Sequence, residues 1–149
     1  MNTLIYILAT GLCGAFAIKA WSGDRADPVR RAFMVVGALT SISYAGFSLY
    51  LLPGLTAFRY LHAVSGAFLP VTILWFFEQL FGTPGAEPSP LVRRLWGITL
   101  LVSIAYVGID ASFYWHIPRA SVTEVLLSFF ILGGFILCIW RLWQVHESS

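Results

Sequence analysis

Five long apolar runs alternate with short polar stretches along the chain: Thr3–Lys19, Ala32–Leu52, Tyr60–Phe81, Leu95–Trp115 and Val122–Trp143. Within each run the apolar residues surround the axis rather than keeping to one stripe, as expected of a helix whose whole circumference meets apolar surroundings. At about 1.5 Å per residue the runs cover roughly 25–33 Å, enough to cross a hydrocarbon core. An open strand has no water there to satisfy its backbone groups, and a membrane barrel would need alternation over about ten residues. The pattern therefore predicts an all-α, polytopic membrane protein: one transmembrane domain over residues 1–149, a bundle of five spans.

The polar stretches predict where the helices stop. The segment "PGAEPSP", residues 84–90, cannot continue a helix and separates the third span from the fourth. Asp27 followed by Pro28 fits an N-cap and first helical residue for the second span. "SVTE", Ser121 to Glu124, has capping-box spacing and should open the fifth. Pro70 is an interior proline that removes one backbone hydrogen bond from the third span, where Gly66 is a small packing residue. Gly11 and Gly14, Gly37 and Ser41, and Gly133 and Gly134 would allow close helix contacts.

Charge adds orientation. Lys19, Arg25, Arg30 and Arg31 stand in the first loop and Arg93 and Arg94 in the third, with Arg141 closing the last span. The second and fourth loops each offer one arginine, Arg59 and Arg119. Positive-inside counting places the N-terminus outside and the C-terminus in the cytoplasm. Trp21, Trp96, Trp115, Trp140 and Trp143 suit interfacial belts. The first run lacks a basic n-region and an A-x-A site, and reads as a retained span rather than a signal peptide.

Composition agrees: 58% hydrophobic, 11% charged, mean hydropathy +0.81 and net charge +2, with no basic patch for nucleic acid. Cys13 and Cys138 lie inside apolar runs without CxxC spacing and read as buried thiols, not a disulfide or metal site. No Walker or Rossmann glycine loop, HExxH or GxSxG is present, and no catalysis is expected.

Ionisable groups within spans are the natural candidates for chemistry, since a central charge costs about 2.5–3.5 kcal/mol on insertion scales. Asp110 lies close below the outer interface, on the side that also carries Arg59, His62, His116 and Arg119. Two readings stay open: a small outer-facing ligand or proton site, and an aspartate that snorkels or pairs with an arginine to fix packing. Near the inner end Glu78 could face Lys19. His62 and His116 at similar depth also allow a bis-histidine haem, although His116 stands past the end of its span and would be a weak ligand. No cofactor is otherwise expected.

The second and third spans carry a more specific combination. Asp27-Pro28, Arg31-Ala32-Phe33, Tyr44, Phe58-Arg59, Leu61, Gly66, Leu69-Pro70, Phe76 and Gly82 stand in an ordered pattern. Over about residues 1–82 this resembles the N-terminal multi-span sensor region of bacterial histidine kinases and diguanylate cyclases. The resemblance implies an inner-membrane, multi-pass input module, passing an outer-side or membrane signal through its last helix to a cytoplasmic signalling domain or partner. That family's region has seven spans where this chain shows five, and no kinase or cyclase domain stands within the 149 residues. The alternative is a small accessory subunit of a larger membrane complex, electron-transfer included. The partners expected are the lipid bilayer, a signalling domain or other membrane subunits, and a second copy in a homodimer; nucleic acid is not among them.

Overall fold

The computed structural model describes residues 2–22, 27–52, 55, 57–113 and 122–147. They form five helices: α1 (Asn2–Trp21), α2 (Pro28–Tyr50), α3 (Phe58–Phe81), α4 (Pro90–Phe113) and α5 (Val122–Glu147). No strand occurs among the described residues, and all five helices are long and apolar enough to cross a membrane.

The helices start where capping chemistry allows. Asp27 caps α2, its carboxylate accepting from the amides of Val29 at 2.9 Å and Arg30 at 3.4 Å, with Pro28 in the first turn. α4 begins at Pro90, five residues before the apolar run predicted, because Ser89 Oγ accepts from the amide of Val92 at 3.3 Å. Hydropathy marks the part of a helix that suits a bilayer, and the polar turn carrying Arg93 and Arg94 continues the same helix. Ser121 lies outside the described residues; α5 is helical from Val122.

α3 is the hub, packing against α2, α4 and α5, while α1 rests on α2 alone among the described residues. Consecutive helices run antiparallel, as contacts at both ends show: Tyr6 with Phe47 and Gly14 with Ser41, Ser43 with His62 and Phe33 with Phe76, Tyr60 with Tyr106 and Trp75 with Trp96. α3 and α5 lie side by side and run the same way.

Two glycines let backbones meet. A Cβ on Gly46 would stand 2.8 Å from the backbone nitrogen of His62, so α2 and α3 touch main chain to main chain. A Cβ on Gly134 would stand 2.7 Å from Pro70 Cβ, which makes this glycine the seat of α5 on α3. Gly37 lies against Ala17 and Gly14 against Ser41, whereas Gly11 and Gly133 face open space. Cys13 is half-buried; Cys138 is buried, its thiol donating to Pro70 O at 3.0 Å.

The interior reverses the soluble pattern. Ser43, Ser48, Ser65, Thr72, Gln79, Thr99 and Ser103 are buried, while Leu4, Ile7, Leu101, Phe129 and Ile139 are more than half exposed. Small polar residues inside and large apolar ones outside suit lipid rather than water as the surround. Of the tryptophans placed in belts, Trp21, Trp140 and Trp143 are exposed, Trp96 packs inward against Trp75 with ring centroids 5.8 Å apart, and Trp115 lies outside the described residues.

At the end of α3, two consecutive side chains hold the loop to α4. Gln79 donates to Ala86 O at 3.1 Å and accepts from the Gly85 amide at 2.9 Å, and Glu78 accepts from the Ser89 amide at 3.1 Å. The loop reverses at Gly85, whose φ of +86° suits glycine. Replacing Gln79 with leucine is expected to cost about 1–3 kcal/mol, two net hydrogen bonds. Faster amide hydrogen exchange at Gly85 checks it.

Candidate functional site

The first turns of α3 and α5 and the end of α4 converge on one polar knot. Asp110, near the end of α4, has 0% of its side chain exposed, and Arg59, in the first turn of α3, has 5%. An Arg59 guanidinium nitrogen donates to Asp110 Oδ2. Tyr60 donates its hydroxyl to the same oxygen at 3.0 Å and accepts from Arg59 at 3.0 Å. Thr123, in the first turn of α5, donates to Asp110 Oδ1 at 2.7 Å. One carboxylate thus gathers three donors from two neighbouring helices, and the apolar bodies of Tyr60 and Tyr106 meet edge to face at 5.9 Å beside it.

Such an arrangement offsets the desolvation of both charges only while all donors are in place. The sequence pattern placed Asp110 and Arg59 at one end, and the structure joins them directly. Tyr60 and Thr123 complete the knot and were not among the expected residues, although both sit beside residues that were noted. His116 and Arg119 lie outside the described residues.

His62 takes a different direction. Three residues beyond Arg59, it turns toward α2, where Nδ1 lies 3.0 Å from both the carbonyl oxygen and Oγ of Ser43. Phe47 packs on the imidazole with centroids 4.9 Å apart. A cavity of about 440 Å³ opens here between α2, α3 and α5, with Gly66 at its floor. Pro70 lies deeper, beneath Gly134.

At the opposite end Lys19 is exposed on α1 and Glu78 is engaged by the Ser89 amide, so the structure does not bring these two together. α1 stays against α2 and never reaches α3 among the described residues. Glu78 instead borders a cavity of about 370 Å³ with Glu87 and Arg141. No group of three histidine, cysteine or acidic side chains converges among the described residues.

Comparison of the chain with protein-family models, with curated proteins and with solved structures found no match.

Proposed function

We propose that the protein is a membrane-embedded sensory module without catalysis of its own, in which a change at the outer end moves α5 and is passed to a cytoplasmic domain or partner. In this reading the N-terminus is outside, the C-terminus is inside, and the membrane is the inner membrane of a bacterium. The resemblance of residues 1–82 to bacterial sensor regions supports it, and so does the excess of basic residues in the loops assigned to the cytoplasm.

One observation carries the reading: a single helix joins the knot to the other face of the bundle. Thr123 ties the first turn of α5 to Asp110, and the helix continues unbroken past Gly134 to Arg141. Among the described residues α5 rests only on α3 and α4, and it is seated by a glycine against a proline, a smooth contact suited to small shifts. A ligand or membrane state that favours one arrangement of the knot would bias the far end of α5 through that rigid connection.

Fusion of a cytoplasmic histidine-kinase domain after α5 tests it. Thr123→Val, which removes the hydrogen bond from α5 to Asp110 and keeps the Arg59–Asp110 pair, is expected to change autophosphorylation by about twofold or more. Equal rates from both fusions would remove the reading.

A further inference from the structure

The cavity between α2, α3 and α5 has a polar end and an apolar end. Arg59 of the knot, Glu124, His62 and Tyr50 line the polar end, and Leu69, Ile131 and Phe135 line the part deeper in the bundle. α2 and α5 both flank α3 without meeting each other among the described residues, so the space between them opens sideways, toward lipid when the bundle is in a membrane. A cavity of about 440 Å³ is of the size that small-molecule sites occupy.

The hydrogen bonds of His62 define what the polar end accepts. A carbonyl oxygen only accepts, so at 3.0 Å from Ser43 O the Nδ1 atom carries the proton. Ser43 Oγ in turn donates to the His62 carbonyl at 3.3 Å. The neutral ring then has its lone pair on Nε2, which has no protein partner among the described residues. Arg59, Glu124, Thr40 and Ser128 also line the cavity, and beside Phe47 it presents the Nε2 acceptor, which suits a ligand with a donor. Tyr44 and Phe47 supply aromatic surface beside that acceptor, suited to a ring. Gly66 leaves the floor open: a Cβ there would meet nothing nearer than Ser43 Oγ at 3.7 Å and Ile131 Cδ1 at 3.8 Å.

We propose that this cavity binds a lipid-borne phenol, its hydroxyl donating to His62 Nε2, its ring against Tyr44 and Phe47 and its apolar tail along Leu69 and Ile131. The inference rests on the bilayer placement and not on signalling. Binding without any change in kinase output would leave it standing, and output without binding would leave the relay standing.

Equilibrium dialysis of 4-tert-octylphenol against the full chain in lipid nanodiscs, with empty nanodiscs as the blank, tests it. The probe's methyl ether keeps the ring and tail and lacks the donor. Saturable, protein-dependent uptake of the phenol is expected, with the ether about tenfold weaker, as loss of one hydrogen bond implies. His62→Phe should weaken the phenol to the level of the ether, and Gly66→Leu should abolish uptake of both. Equal affinity of wild-type protein for phenol and ether, or no protein-dependent uptake, overturns the proposal whatever the variants do.

Discussion

Replacing Asp110 with alanine is expected to destabilise the bundle by about 3–5 kcal/mol, the largest effect of any single substitution considered, because it strands the Arg59 charge in the interior. The hydroxyls of Tyr60 and Thr123 lose the acceptor they share as well. Against a total stability of about 5–15 kcal/mol, that loss is severe. Arg59→Met alone should cost a similar amount, leaving the carboxylate buried. Arg59→Met with Asp110→Leu should recover most of it, since apolar residues of similar size often replace a buried ion pair at little cost. Thermal unfolding in one detergent of the wild type, Arg59→Met, Asp110→Leu and the double variant gives the coupling directly. Additive losses would show that the two side chains act separately.

Gly134→Val is expected to lift α5 from α3. The added Cβ alone would stand 2.7 Å from Pro70 Cβ, and the proline ring cannot swing aside as a flexible chain would. Overpacking of this kind costs about 1–3 kcal/mol, with more where the helices separate. Gly133→Val is the matched control, since nothing lies within 4 Å of a Cβ there. The readout is the thiol of Cys138, buried with 4% exposure and held against Pro70 O. In a Cys13→Ser background, a membrane-permeant maleimide should label Cys138 faster in Gly134→Val and at the wild-type rate in Gly133→Val. Equal labelling in both would mean that Gly134 does not seat α5.

The five helices were legible because a stretch apolar on all sides has one stable form in lipid, and Asp27-Pro28 announced the start of α2 through capping chemistry alone. The apolar run Leu95–Trp115 did not mark where α4 starts, because a helix extends beyond its apolar part to a capping residue, here Ser89 before Pro90. Depth was equally legible: Asp110, Arg59 and His62 do lie toward one end. Neighbourhood was not, since it depends on how each helix is rotated. Residues three apart on a helix point about 60° away from each other. That angle sends Arg59 to Asp110 and His62 to Ser43. Lys19 and Glu78 share an end as well, but α1 packs on α2 and leaves them apart. Thr123 escaped notice because a hydroxyl in a first turn reads as capping, and its bond to a carboxylate on another helix has no local signature.

In the proposed relay the knot at one end of the bundle sets the position of α5 at the other. Spin labels on Phe81→Cys and Trp143→Cys, both at exposed positions near the far end and in a background without the two native thiols, report the α3–α5 distance there. Adding Thr123→Val removes the Thr123–Asp110 hydrogen bond and leaves the ion pair in place. The distance distribution is expected to move or broaden by about 1–2 Å, the scale of helix shifts in switching proteins. An identical distribution with and without Thr123→Val would contradict the relay.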